Sequence, residues 1–122
     1  MILLDTNGLL WLDQNHRRAR QLRRGTAPLA VSPATQLELH FLLETGRIRL
    51  RSGTVRALLD DPRWEIDEPP ALEWFERAAE ESWTRDPFDR LIVAHARLRG
   101  WPLATGDLAI LRQLRPSERF EL

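Results

Sequence analysis

Short apolar runs alternate with helix-start signals along this chain, and that alternation constrains its fold more than any other feature. Ile2–Leu4 ends at Asp5 and is followed by a helical stretch through Trp11 and Leu12, then by an Arg-rich helix to Gly25. Leu29–Val31 precedes Pro33, which suits the first turn of a helix running to about Thr45 and closed by Gly46. A helix over about Gly53 to Asp60 leads to Trp64–Ile66. Pro69 and Pro70 open a helix through Glu81, and Asp86-Pro87 opens another that ends at Gly100. Pro102–Ala104 reads as a strand, Asp107–Leu114 as a short helix and Arg119–Glu121 as an edge strand. This order predicts the α/β class: three layers, with helices on both faces of a mostly parallel sheet of four to five short strands. Crossovers in such sheets are right-handed, and ligands bind beyond the carboxyl ends of the strands where the strand order reverses. With 122 residues, no internal repeat and no linker, the expectation is one domain over 1–122.

Composition removes whole classes of chemistry. The chain has no cysteine, so thiol nucleophiles, zinc–thiolate sites and disulfide frameworks are excluded. Its 18 basic residues are all arginine. Without lysine there is neither a Walker-type phosphate loop nor Schiff-base catalysis. The segment Met1 to Trp11 is apolar but carries Asp5 and no basic flank, unlike a signal peptide. No apolar stretch reaches the ~18–20 residues of a membrane span, so a cytoplasmic protein is expected. Net charge is zero, and the run Arg17, Arg18, Arg20, Arg23 and Arg24 could supply local basicity but reads at least as well as a solvated helix face.

Acids stand at the junctions where the sheet rule looks for ligands. Asp5 ends the first strand, Asp107 follows the fourth, and Asp86 and Asp89 flank Pro87 at a helix start. Any one of them, taken alone, reads first as a helix cap or as an acid suited to the helix dipole. Glu38 is different. On its helix Gln36, His40 and Glu44 mark a polar face, and Glu38 projects on the opposite side, between Phe41 and Leu42. An inward carboxylate requires either a partner, for which an inward Arg is the plain alternative, or a metal. If Asp5, Glu38, Asp89 and Asp107 converge, they repel one another until a hard divalent cation joins them. Magnesium or manganese, one or two ions, suits an all-oxygen set and suits phosphodiester hydrolysis.

In this order these residues resemble the PIN-domain family, in particular the VapC-type toxin ribonucleases. Leu3-Leu4-Asp5-Thr6-Asn7, Thr35-Gln36-Leu37-Glu38-Leu39, Leu103-Ala104-Thr105-Gly106-Asp107 and, most specifically, Arg85 to Ala94 with Asp86-Pro87-Phe88-Asp89 carry the likeness. The resemblance implies a metal site of Asp5, Glu38, Asp89 and Asp107, with Thr6, Asn7, Asp86, Arg90 and Thr105 beside it. It implies an RNA substrate, hydrolysed to 5′ phosphate and 3′ hydroxyl ends, a small antitoxin partner and a homodimer. Two positions depart from the pattern. Gly8 stands where relatives carry a larger residue, which would loosen the turn after Asp5. Gly106 stands where Arg or Asn is common, which would remove a phosphate contact.

Other residues weigh less. His16, His40 and His95 share no motif, and His95 lies on the face of Phe88, Leu91 and Ile92, as a packed histidine would. Arg90 reads evenly as a phosphate contact or as the partner of a neighbouring acid. Trp11 and Trp101 flank the candidate rim. Two other functions compete with a nuclease. A PIN module that only binds RNA or protein would be favoured by the loss of an acid, and all four are present. An Asp-nucleophile phosphatase needs a second Asp where Asn7 stands, and a lysine.

Overall fold

The computed structural model describes residues 1–122. Five strands, β1 (Ile2–Leu4), β2 (Leu29–Val31), β3 (Trp64–Ile66), β4 (Leu103–Thr105) and β5 (Arg119–Glu121), form one sheet in the order β3-β2-β1-β4-β5. Every pairing is parallel. Seven α-helices surround the sheet: α1 (Thr6–Asp13), α2 (Arg20–Arg24), α3 (Pro33–Glu44), α4 (Val55–Leu59), α5 (Ala71–Glu80), α6 (Pro87–Arg99) and α7 (Leu108–Leu111). No helix is long and apolar enough to cross a membrane.

The apolar runs become central strands because each must bury both of its faces. Successive side chains of a strand point to opposite sides. Leu4, Val31 and Ala104 therefore join one core with Leu9, Leu39 and Leu58, while Leu3, Ala30 and Leu103 join a second with Trp74, Val93 and Ile110. A parallel sheet covered on both faces needs this doubly apolar pattern. The chain builds β1 to β3 outward on one side, then returns to place β4 and β5 on the other. The strand order thus reverses between β1 and β4, and a crevice opens beyond their carboxyl ends.

Several boundaries differ from the sequence expectation: the helix expected over about Gly53 to Asp60 spans only Val55–Leu59, and the Arg-rich helix opens with a 3-10 turn over Arg17–Ala19. The fourth strand runs Leu103–Thr105 rather than from Pro102, whose carbonyl accepts from the Leu3 amide but which has no N–H for the ladder. The helix expected to reach Leu114 is α-helical only to Leu111, after which Gln113 and Leu114 close three-residue bonds to Ile110 and Leu111.

Helix α6 stops at Gly100, whose φ of +69° is the left-handed conformation that ends a helix. Nothing lies within 4 Å of a Cβ built there, so only backbone strain opposes a side chain. Gly100→Ala is expected to destabilise the protein by about 1 kcal/mol, read as a fall in Tm.

Candidate active site

Asp5, Glu38, Asp86, Asp89 and Asp107 line one cavity of about 190 Å³, together with Thr6, Asn7, Leu42, Ile92 and Ile110. The elements that bring them there meet at the reversal point. Asp5 leaves β1 as the N-cap of α1, Asp107 follows β4 as the N-cap of α7, Asp86 caps α6 and Asp89 sits in its first turn. Glu38 comes from the inward side of α3. Phe41 and Phe88, one from each of α3 and α6, meet edge to face at 5.6 Å and hold these two helices in register.

The capping and ligand readings of the aspartates turn out to be compatible. Asp5 Oδ1 accepts from the Gly8 amide at 2.6 Å. Asp107 Oδ1 accepts from Ala109 at 2.8 Å and Ile110 at 3.3 Å, and Asp86 Oδ1 from Phe88 at 2.8 Å and Asp89 at 3.2 Å. In each cap one oxygen fixes the carboxylate to its helix. The second oxygen of Asp86 and of Asp107 has no hydrogen-bond partner within the protein. Asp89 caps nothing and its carboxylate accepts no hydrogen bond. Glu38 accepts from the Thr6 hydroxyl through Oε1 and pairs with no arginine, so the inward-Arg alternative does not hold.

Thr105 and Gly8 complete the frame. The buried Thr105 hydroxyl accepts from the Asp107 amide at 3.1 Å, and its closeness to Asp5 pulls that carboxyl's pKa down, so one side chain lies between the two acids. Gly8 does not loosen the turn: α1 begins directly after Asp5, and a Cβ at Gly8 would stand 3.0 Å from Asp5 Oδ1. The glycine is what allows that close approach. Asn7 is exposed at the mouth of the cavity. Arg90 neither lines the cavity nor pairs with an acid; its Nε donates to the Thr84 carbonyl at 2.8 Å and ties down the segment before α6.

The electrostatics of these acids are distinctive. Burial, with Asp86, Glu38, Asp107 and Asp5 nearby, pushes Asp89 up to about 7. Burial pushes Asp5 to about 6, although hydrogen bonds from Thr105 and Gly8 pull it down. Glu38 is raised by burial, against the pull of the Thr6 hydroxyl. Buried and half-buried acids elsewhere in the protein are partnered differently. Glu81 is paired with Arg97 at 2.7 Å. Asp13 accepts from the amides of Arg51 at 2.8 Å and Ser52 at 3.1 Å. Asp67 holds Arg99 at 2.8 Å and His95 at 2.7 Å. None of the five cavity acids has a cation partner.

Such a set fits a hard divalent cation: the donors are all oxygen, they are pre-positioned by caps, and their charge is uncompensated. No three of the carboxylates, as they stand, close tightly enough on one point to ligate an ion directly. Like charges with nothing between them keep such a spacing, and magnesium, which retains several waters, tolerates it.

The histidines lie outside this cavity. His95 is fully buried against Trp74, with burial lowering its pKa, as expected of a packed side chain. What sequence alone left unresolved is the surrounding of Gly106. A Cβ there would meet Arg18 Nη2 at 2.6 Å and the Trp11 ring at 2.9 Å. No local motif announces a contact between residues so far apart in the chain.

A protein-family model described as PIN domain matches residues 2–114. No curated protein matches the chain by sequence. Among solved structures, a toxin–antitoxin complex from Klebsiella pneumoniae is similar, with 23% identity and a TM-score of 0.69 over 96% of this chain and 94% of that one. A DNA-bound VapBC from Salmonella typhimurium has 23% identity and a TM-score of 0.63 over 98% and 96%. FitAcB from Neisseria gonorrhoeae has 21% identity and a TM-score of 0.54 over 92% and 91%. At these identities the likeness is one of fold.

Proposed function

The chain belongs to the PIN-domain family, and from that premise we propose that it is a metal-dependent endoribonuclease, the toxin member of a toxin–antitoxin pair, with residues 1–122 as one catalytic domain. The observation that carries this reading is the uncompensated acid cluster: Asp5, Glu38, Asp89 and Asp107 share one cavity at the strand-order reversal with no basic side chain among its lining. A protein that only folds or only binds anionic RNA has no use for such a cluster, because repulsion among the acids opposes both.

In this reading the four carboxylates hold one or two magnesium or manganese ions, with Asp86 at the edge. When bound, the metal would lower the pKa of an attacking water and stabilise charge on the phosphate oxygens. The protein's part is positioning. The caps fix one oxygen of Asp5 and of Asp107 and turn the other toward the ligand. Thr105 holds the backbone of Asp107, and Thr6 orients Glu38. Leu42, Ile92 and Ile110 form an apolar floor that keeps bulk water from screening the charges.

The partner reading draws on the similar solved structures, which are toxin–antitoxin complexes. Exposed apolar side chains support a protein partner and a homodimer: Leu37 and Phe41 on α3, and Leu72 and Phe75 on α5. A small antitoxin that covers the acidic cavity would silence the enzyme.

Cleavage of structured RNA by the purified protein, with magnesium, with manganese and with EDTA, tests the activity. Cutting is expected with either metal and is lost with EDTA and in Asp89→Asn. Folded protein that cuts none of several RNAs with either metal would contradict the reading.

A further inference from the structure

Arg18 departs from the other members of the arginine run. Its guanidinium lies 4.4 Å from the centroid of the Trp11 ring, and Nη2 donates to the Leu122 main-chain oxygen at 3.0 Å. That same nitrogen occupies the space a side chain at position 106 would need, 2.6 Å from a Cβ built on Gly106. Gly106 directly precedes Asp107, so an exposed arginine from a distant part of the chain stands against the residue next to one of the cavity acids, without lining the cavity itself. It forms no ion pair with any acid there. Nε and Nη1 have no hydrogen-bond partner in the protein. On its outer side Arg18 lines a second cavity, of about 350 Å³, with Arg17, Arg20, Gln21, Glu121 and Leu122.

We infer that Arg18, seated on Trp11 in the gap left by Gly106, grips an RNA backbone phosphate adjoining the one cleaved, and that the Arg17–Arg18–Arg20 cavity carries the strand away from the acids. Stacking holds the guanidinium without neutralising it, so its fork reaches the ligand with little loss of freedom and with donors to spare. In the ribonuclease reading the acids would hold the metal that meets the scissile phosphate. A separate cation beside them supplies what an acidic cavity lacks, attraction for the rest of a polyanion. Position 106 need not provide that contact itself, because Arg18 reaches the same point through space. The chain's zero net charge is no obstacle, since its basicity is concentrated where the strand would run. The inference rests on the ribonuclease reading.

Steady-state cleavage with magnesium, and equilibrium binding of a short single-stranded RNA over a salt series in an Asp5→Asn background, test it. Arg18→Gln is expected to raise KM about tenfold with little change in kcat. It should also flatten the dependence of log Kd on log salt by about 0.7, the share of one phosphate on a single strand. Arg18→Lys should restore the salt slope but only part of the KM, because it keeps the charge and loses the fork. Gly106→Ala should displace the guanidinium and reproduce Arg18→Gln, with the double variant no worse than either. Arg56→Gln, which removes an exposed surface arginine, should change nothing. A lower Tm for Arg18→Gln with salt slope and KM unchanged would reduce Arg18 to a strut for Leu122 and overturn the inference. RNA binding that depends on Arg18 in a protein that never cuts would overturn the ribonuclease reading and keep the phosphate contact. No binding at all would overturn both.

Discussion

Asp5→Asn is expected to lower RNA cleavage by more than ~100-fold, beyond the 10–100-fold typical of groups that only orient metal ligands, while the protein stays folded. The two consequences separate because Asp5 has two tasks. Its Oδ1 caps α1 through the Gly8 amide, and asparagine caps about as well as aspartate. Its charge, buried beside Asp107 and Glu38, has value only when a cation is present. Removing the charge leaves the cap in place and relieves repulsion, so the metal-free variant should melt no lower than the wild type. Asp5→Ala supplies the comparison. It removes cap and charge together and should cost about 0.5–2 kcal/mol of stability besides the activity. Circular dichroism and cleavage rates on the three proteins decide the matter. An Asp5→Asn variant that unfolds would mean that the charge itself supports the fold.

The second large effect is on stability. Asp89 has its folded pKa pushed from an ordinary 3.8 up to about 7. Between those values the folded protein binds a proton that the unfolded chain does not, so stability falls as pH rises through this window and levels off above it. Asp5, pushed to about 6, and Glu38 act in the same direction. Asp61, Asp67 and Glu118, whose pKa values are lowered, act oppositely at lower pH. The difference between wild type and Asp89→Asn isolates the first contribution. For metal-free protein, Asp89→Asn should be nearly neutral at pH 4 and stabilising by about 2 kcal/mol at pH 8, a figure reduced for solvent screening. Magnesium should narrow that gap: at a hundredfold excess over Kd it adds about 2.7 kcal/mol to the wild type and less to the variant, whose site is weaker. Melting curves at pH 4 and pH 8, with EDTA and with magnesium, give all the required values. A variant no more stable than wild type at pH 8 without metal would show that the acids do not strain the fold.

The parts of this arrangement that were legible in the sequence are those set by local rules. Ile2–Leu4, Leu29–Val31, Trp64–Ile66 and Arg119–Glu121 coincide with strands because apolar runs and their punctuation are local signals. The inward aim of Glu38 follows from the spacing of Gln36, His40 and Glu44 on one helix. Pro87 and Asp86 mark the start of α6 by cap chemistry. Phe41 was not legible: a helical wheel places it near Glu38, yet it is half exposed, because its neighbour is Phe88 at the helix edge rather than the core. Nor was Arg90, whose nearest acceptor is a loop carbonyl that no pattern specifies. The seat of Arg18 depends on the strand order, on a missing Cβ at Gly106 and on an indole from α1, and only the folded chain brings these together.

The central claim is that Asp5, Glu38, Asp89 and Asp107 form one divalent-metal site. Calorimetric titration of manganese into the metal-free protein and into Asp5→Asn, Glu38→Gln, Asp89→Asn and Asp107→Asn tests it most directly. The predicted result is saturable binding to the wild type at one or two ions per chain, weakened at least ~10-fold by each substitution with the fold preserved. Manganese binding that all four variants retain at full strength would contradict it.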